Sequence, residues 1–173
     1  MPPRRPAMPA PRETMLVDWL LFGEMSRALA LKVSKGFDPE VVVGVATAGV
    51  VPGAVFAAML DRPFHSIIVS RRFRATQVRE TPAVLSAAPT DVLKRRVLIV
   101  DETCNGGDTL RLAIAAIVNA GAREVRTAVS WKTGPYMPDF FGLETDARIV
   151  LPWDREQIVN GVLSPNPKYD DLD

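Results

Sequence analysis

The 173-residue sequence contains only one cysteine, Cys104, and only one histidine, His65. A single cysteine excludes an internal disulfide, and the shortage of both residue types excludes a Cys/His metal site. A nucleophile activated by histidine would have to depend on His65, because the chain has no other histidine. Since His65 lies at the start of a predicted strand, we expect it to have a structural role.

The sequence also lacks an excess of either charge and any long apolar run. Lys and Arg number 21 against 20 Asp and Glu, whereas a dedicated nucleic-acid binder shows a marked basic excess. No segment approaches the roughly 20 apolar residues that a membrane-spanning helix needs. Residues 1–12 have no apolar run of the kind that a secretory signal requires. These absences favour a cytoplasmic protein without a nucleic-acid or membrane partner.

The length suits one domain with a sizeable core. We expect residues 1–13 to form a disordered tail, because they are rich in proline and arginine. Residues 14–163 are predicted to form the domain, and residues 164–173 a polar C-terminal tail. Residues 71–91, here called the hood, have no sustained periodicity and are predicted to be a long flexible loop of the kind that closes active sites.

Within the domain, apolar runs predict strands, and apolar residues at helical spacing predict helices. The predicted strands are 41–43, 66–70, 97–100, 125–130 and 149–151, and the predicted helices are 14–35, 53–60 and 109–120. This alternation indicates an α/β fold with a mostly parallel, twisted sheet flanked by helices. Ligands of such sheets bind beyond the carboxyl ends of the strands. The loops after Val43, Ser70, Val100 and Ser130 are therefore expected to face one site.

Segment 97–110 carries the most specific pattern in the chain. A buried strand ends in two adjacent carboxylates, Asp101 and Glu102, and a glycine-rich turn then leads into a helix. Backbone N–H groups of such a turn, together with the helix N-terminus, bind phosphate. The carboxylates can accept hydrogen bonds from sugar hydroxyls or hold a metal ion. This combination matches a ribose 5-phosphate, and the alternative is a plain strand-to-helix turn with two solvated acids.

The segment resembles the signature of the type I phosphoribosyltransferases: an apolar strand, two acidic residues and a phosphate loop of the form Thr/Ser-Gly-x-Thr. The resemblance extends over residues 41–154. It implies an enzyme of purine salvage, a homodimer with Mg²⁺ as cofactor, that transfers phosphoribosyl from phosphoribosyl pyrophosphate to a purine base. Asp101 and Glu102 would bind the ribose hydroxyls and the metal ion, and with Asn105 they would be the catalytic residues. The residues that would hold the 5′-phosphate are Asn105, Gly106, Gly107, Asp108 and Thr109.

The resemblance also covers the base. Lys132, just past a strand, matches the lysine that reads the 6-oxygen in 6-oxopurine enzymes, and its ammonium group donates but cannot accept. Taken alone, a lysine after a strand is more often a solvated surface group. Segment 149–154 is similar to the purine-pocket strand of xanthine and guanine phosphoribosyltransferases, which implies that Ile149, Val150 and Trp153 hold the base. Xanthine, guanine and hypoxanthine remain open as substrates.

The loop that binds pyrophosphate in this family corresponds to Thr47, Ala48 and Gly49. The family usually has Arg or Lys there, so backbone amides remain but the side-chain charge is missing. A P-loop is excluded, because Val50 and Val51 stand where that motif requires Lys and Ser or Thr. Arginines of the hood are expected to supply the charge, unless they only form a solvated basic loop. The hood contains Arg71, Arg72, Arg74 and Arg79, of which Arg71 and Arg72 are the predicted ligands.

Three residues of the phosphate turn depart from the family pattern. Asn105 stands where 6-oxopurine enzymes usually have an aspartate, and Gly106 replaces a hydroxyl side chain. Asp108 puts a carboxylate into the phosphate cradle, where repulsion at about 5 Å would cost on the order of a few kcal/mol. That cost is avoided if the side chain points away, for example to cap the following helix. These departures leave open an alternative function, that of a catalytically weak or inactive nucleotide-binding regulator with the same fold.

Overall fold

The computed structural model describes residues 13–73 and 77–172. The chain divides into two compact units, Leu20–Thr145 and a smaller one formed by Met1–Trp19 and Asp146–Asp173. The predicted disordered tail, residues 1–13, lies outside the described residues except for Glu13. None of the helices within the described ranges is long and apolar enough to cross a membrane.

The described residues form three α-helices and ten strands. The helices are α1 Trp19–Gly36, α2 Val50–Leu60 and α3 Asp108–Asn119. The strands are β1 Thr14–Leu16, β2 Val41–Ala46, β3 Phe64–Phe73, β4 Gln77–Val84, β5 Arg96–Cys104, β6 Glu124–Lys132, β7 Phe140–Glu144, β8 Arg148–Val150, β9 Glu156–Val159 and β10 Val162–Pro165. Short 3-10 turns cover Thr90–Val92 and Pro167–Leu172.

The larger unit contains a six-stranded sheet in the order β4-β3-β2-β5-β6-β7. All neighbouring strands are parallel except the antiparallel pair β3–β4. Strands β2 and β5 are buried on both faces, as the apolar runs in their sequences require when helices cover a parallel sheet. The predicted α/β fold with a mostly parallel sheet flanked by helices is therefore confirmed.

Successive residues of the central strands pack on opposite faces of this sheet, as the two-residue period of a strand dictates. On one face, Val43 and Ile99 pack in a cluster with Leu110 and Ile117 of α3. The cluster on the other face contains Leu29 of α1, Phe56 of α2, and Val42, Leu98 and Val100 of the sheet. The two layers of helices hold the carboxyl ends of β2, β5 and β6 at one edge of the sheet.

Two parts of the predicted secondary structure were wrong, the start of the first helix and the hood. Residues 14–16 do not begin a helix: they form β1, which pairs in parallel with β8, so that Met15 lies opposite Ile149. The helix begins only at Trp19, because residues 14–16 pair with another strand. The hood is not an irregular loop, because it contains β4, which pairs with β3 through a register shift between Ser70 and Arg72.

The smaller unit contains the parallel pair β1–β8 and the antiparallel hairpin β9–β10. Asn160 and Gly161 both have positive φ, 50° and 79°, at the two-residue turn of the hairpin, a pattern typical of a type I′ turn. The chain then forms a 3-10 turn in which Tyr169 donates a hydrogen bond to Asp154 at 2.8 Å. Part of the predicted polar tail is therefore held by side-chain contacts.

Candidate functional site

The acidic pair lies inside the central strand rather than after it. Strand β5 continues to Cys104, and Asp101 is opposite Val129 of β6. Asp101 is only 6% exposed, and its Oδ1 accepts a hydrogen bond from the backbone N–H of Glu102 at 2.9 Å. Burial, and next the neighbouring Glu102 carboxylate, raise the pKa of Asp101 well above its usual range. A ligand that brings hydrogen-bond donors or positive charge to this acid would stabilise its ionised form.

A glycine turn follows the acids and leads into α3. Gly107 is the N-cap of the helix and has φ 81°, a left-handed conformation that favours glycine. A cavity of about 160 Å³ lies beside the turn and is lined by Asp101 and residues 103–110. The turn therefore combines backbone N–H groups, a helix N-terminus and space for a small anionic group.

The carboxylate of Asp108 is balanced by an arginine one helical turn later. Asp108 Oδ1 lies 3.1 Å from Arg111 Nη1, and the same nitrogen donates to the Gly106 carbonyl at 2.8 Å. The guanidinium carbon also lies 4.8 Å from the centre of the Tyr136 ring. Gly107, rather than Asp108, is the N-cap of α3, and Asp108 is the first residue of the helix. Both charged side chains are more than half exposed, so the pair contributes little to stability and can exchange partners.

The loop after β6 packs directly on the glycine turn. A methyl group on Gly107 would lie 2.2 Å from the Tyr136 ring, and one on Gly134 would lie 2.1 Å from Asn105 Oδ1. The backbone N–H of Tyr136 also donates to the carbonyl of Asn105 at 3.2 Å. Asn105 itself is exposed. The sequence pattern did not indicate Tyr136 or Arg111 as parts of the site. Only the spacing of three residues between Asp108 and Arg111 is a signal for a pair.

The loop predicted to bind pyrophosphate lies against the acidic pair. Thr47, Ala48 and Gly49 connect β2 to α2, with Gly49 as the N-cap of that helix and a cis peptide between Ala46 and Thr47. A methyl group on Gly49 would lie 2.6 Å from the Val45 carbonyl oxygen and 2.8 Å from Asp101 Oδ1. Only glycine permits this close approach. The structure thus brings together two of the four predicted parts of the site, the acids with their turn and this loop.

The hood arginines stay a prediction. The backbones of Arg71 and Arg72 belong to β3, and that of Arg79 to β4. Their side chains and the whole of Arg74 lie outside the described residues.

Lys132 ends β6 and is not a solvated surface lysine. Its side chain is 5% exposed, and Nζ donates to Glu144 Oε1 of β7 at 2.5 Å. The register places Lys132 beside Glu144 on one side and Cys104 on the other. Cys104 is also buried, and burial, followed by the Asp101 charge, raises the pKa of its thiol to about 11. The alternative reading of Lys132 as a surface group was therefore wrong.

The remaining predicted base-binding residues, Ile149, Val150 and Trp153, belong to the smaller unit, whereas Lys132 belongs to the larger one. Val150 is buried, and its carbonyl accepts a hydrogen bond from the Val17 N–H at 2.9 Å. The ring of Trp153 lies 6.0 Å from that of Trp19. These contacts of Val150 and Trp153 are therefore contacts within the smaller unit.

The acidic pair fits the ligand chemistry of Mg²⁺. Among the described residues, no three or more His, Cys, Asp or Glu side chains form a cluster that would hold a metal ion alone. Mg²⁺, however, usually binds through one or two carboxylates and completes its shell with waters and substrate phosphates. Asp101 and Glu102 supply such a pair beside a turn suited to phosphate.

Comparison with known proteins agrees with this geometry. A family model described as the phosphoribosyl transferase domain matches residues 14–139. The chain is 30% identical to the amidophosphoribosyltransferase of Synechococcus elongatus over 120 residues, which are 64% of this chain and 24% of that protein. It is 29% identical to the orotate phosphoribosyltransferase of Saccharolobus solfataricus over 94 residues, 54% of this chain and 44% of that protein. The chain therefore spans less than half the length of these curated relatives.

Two solved structures resemble this chain over a larger share of its length than the curated relatives do. The purine phosphoribosyltransferase of Pyrococcus horikoshii has a TM-score of 0.72 and 27% identity, over 86% of this chain and 99% of that one. A hypothetical protein of Neisseria gonorrhoeae with bound ppGpp has a TM-score of 0.71 over 88% of this chain and 93% of that one. Its 18% identity shows a shared fold only. Since the family model covers most of the chain, including the acidic pair and the glycine turn, this protein belongs to the phosphoribosyl transferase domain family.

Proposed function

We propose that the protein transfers phosphoribosyl from phosphoribosyl pyrophosphate to a 6-oxopurine base and releases pyrophosphate. The observation that carries this proposal is the contact of three elements: the buried acids Asp101 and Glu102, the glycine turn beside them, and the Gly49 loop against Asp101. A sugar that carries a phosphate at one end and a pyrophosphate at the other matches this arrangement.

The acids hold the sugar. The ribose 2′- and 3′-hydroxyls donate hydrogen bonds to the carboxylates of Asp101 and Glu102, which fixes C1 of the ribose relative to the base. Positive charge develops at the ribose as pyrophosphate leaves, and two preorganised carboxylates stabilise it. Catalysis in this account depends on positioning and on fixed charge rather than on a protein nucleophile.

The turn holds the 5′-phosphate through backbone N–H groups of residues 105–109. Arg111 prevents Asp108 from repelling that phosphate, because its guanidinium already neutralises the carboxylate at 3.1 Å. When phosphate arrives, Arg111 can share its donors between the two anions.

The leaving group is held on the other side of the acids. Backbone amides of Thr47, Ala48 and Gly49 face pyrophosphate at the N-terminus of α2, whose first turn contains no acidic residue. We assign the missing side-chain charge to Arg71 and Arg72 of the hood. Mg²⁺, held by Asp101 and Glu102, would add positive charge on the phosphate oxygens.

Lys132 selects the base. Its ammonium donates to a carbonyl oxygen such as O6 of hypoxanthine, xanthine or guanine, and it cannot accept from the amino group of adenine. Ile149, Val150 and Trp153 are proposed to pack on the purine ring. The similarity in fold to the purine phosphoribosyltransferase of Pyrococcus horikoshii, over 86% of this chain and 99% of that one, supports a purine as the acceptor.

A panel of bases tests this function. The purified protein is incubated with phosphoribosyl pyrophosphate, Mg²⁺ and hypoxanthine, guanine, xanthine, adenine or orotate, and pyrophosphate release is measured. We expect release with the 6-oxopurines and none with the double variant Asp101→Asn/Glu102→Gln. Release with orotate alone, or equal rates in the double variant, would overturn the assignment.

A nucleotide-binding regulator is the second candidate. Asn105 cannot transfer a proton at neutral pH, and the Thr47–Ala48 peptide carries no charged side chain. The Neisseria protein of similar fold binds ppGpp, which is itself a phosphorylated guanosine. Calorimetric titration with purine nucleotides distinguishes the two, since tight binding without pyrophosphate release favours the regulator. The homodimer and the cytoplasmic location stay predictions.

A further inference from the structure

The carboxyl ends of β6 and β7 place a hydrogen-bond donor and an acceptor side by side. Lys132 and Glu144 are cross-strand partners in the sheet, and Lys132 Nζ donates to Glu144 Oε1. Within the described residues, the Glu144 side chain makes no other hydrogen bond or ion pair. The ammonium has three N–H donors, of which this contact uses one, and the carboxylate has two oxygens. Both groups therefore keep capacity for a ligand.

The two side chains differ sharply in exposure. Lys132 is 5% exposed and Glu144 61% exposed. The buried charge of Lys132 needs an opposite charge beside it, because an unpaired buried charge strongly destabilises the fold. Glu144 provides that partner and still presents its outer oxygen to solvent. Hydrogen bonds to charged groups are stronger than those between neutral groups.

A donor beside an acceptor is the complement of a lactam edge. A 6-oxopurine presents O6, which accepts, next to N1–H, which donates, so that Lys132 binds the first and Glu144 the second. Adenine has the opposite arrangement, with a donating amino group at C6 and an accepting N1. Against adenine, the ammonium would meet a donor and the carboxylate an acceptor. A site that leaves polar groups unpaired with the wrong ligand discriminates strongly against it.

We propose that Glu144 is a specificity-determining residue that reads N1–H of the base while it holds Lys132 toward the 6-oxygen. This inference rests on the proposed function, because it assigns the base-reading groups of that same reaction. The competing explanation is that Glu144 only neutralises Lys132 and never contacts the base. The two explanations differ in whether loss of Glu144 affects all bases alike.

The test compares kcat/KM for hypoxanthine and adenine in the wild type and in Glu144→Gln. Glutamine keeps an oxygen for Lys132 but replaces the second acceptor by an NH₂ donor. We expect kcat/KM for hypoxanthine to fall by on the order of 10- to 100-fold, the effect of one hydrogen bond to a charged group. We expect kcat/KM for adenine to stay the same or rise. The ratio of kcat/KM for hypoxanthine to that for adenine should therefore decrease.

Glu124→Gln serves as the matched control. Glu124 lies at the opposite end of β6 and pairs with Arg126 at 3.1 Å, so the same substitution there should leave the ratio unchanged. Thermal melting shows whether the variants fold. If Glu144→Gln does not fold, Glu144→Asp is measured instead. It keeps a carboxylate for Lys132 but is one methylene shorter, so the same decrease in the ratio of kcat/KM for hypoxanthine to that for adenine is expected.

An equal fall for both bases, or no change, would overturn the role of Glu144 while leaving the transferase intact. Absence of transfer from the wild-type protein to any purine would instead overturn the proposed function, and the inference with it. Both failures are therefore visible in one set of assays.

Discussion

Replacement of Asp101 by asparagine is expected to stabilise the protein and to inactivate it. Asp101 is 6% exposed and lies beside the Glu102 carboxylate. Its raised pKa, caused first by burial and then by Glu102, means that the charged form is disfavoured in the folded state. Asparagine removes the charge, while its Oδ1 can still accept from the Glu102 N–H now bonded at 2.9 Å. The substitution therefore relieves an unfavourable interaction without losing the hydrogen bond.

We expect the free energy of unfolding of Asp101→Asn to rise by about 1–2 kcal/mol, the range of a stabilising single substitution. For a chain of this length each kcal/mol raises Tm by roughly 2–4 °C. Thermal melts at pH 7 without ligand measure the change, and pyrophosphate release measures activity. Glu102→Gln is the control: it removes the same repulsion at a less buried position and should stabilise less. A lower Tm for Asp101→Asn, or full turnover, would refute this reasoning.

Three further outcomes are expected. Gly49→Ala should lower the free energy of unfolding by about 1–3 kcal/mol and reduce transfer, because its methyl group would lie 2.6–2.9 Å from three oxygens. The control is Gly23→Ala, whose methyl group would have no neighbour within 4 Å, so its Tm should stay the same or rise. Arg111→Ala should raise KM for phosphoribosyl pyrophosphate about tenfold, because it leaves the Asp108 carboxylate without its arginine partner. Arg111→Lys should restore part of the affinity, and an unchanged KM would contradict the role of Arg111 in neutralising Asp108. Cys104 is buried, and the pKa of its thiol is raised to about 11. At pH 8 it should therefore react with a thiol reagent far more slowly in the folded protein than in the unfolded protein. Rapid labelling of the folded protein would contradict the burial of Cys104.

The parts of the fold that the sequence predicts are those with strong local signals. The apolar runs at 41–43 and 97–100 lie at the centre of the sheet, where burial on both faces removes the usual alternation. The acids followed by glycines mark the strand-to-helix turn, because glycine is needed at the left-handed Gly107. These signals are set by neighbouring residues in the chain, and the sequence contains them directly.

The missed parts depend on pairing between distant residues. Strand β4 has no clean alternation, and its hydrogen bonds come from β3. Strand β7 is short and largely exposed, so nothing in its own sequence predicts it. The partner of Lys132 lies on that strand, which is why the pair with Glu144 could not be predicted. In the same way, Tyr136 contacts the turn only because the loop after β6 folds back on it.

The most direct measurement is a crystal structure of the protein with phosphoribosyl pyrophosphate and Mg²⁺. We expect the 5′-phosphate in the turn of residues 105–109, with the ribose hydroxyls within hydrogen-bond distance of Asp101 and Glu102 and the pyrophosphate beside Gly49. A sugar phosphate bound elsewhere, with the turn empty and both carboxylates without contact to the ribose, would contradict the account.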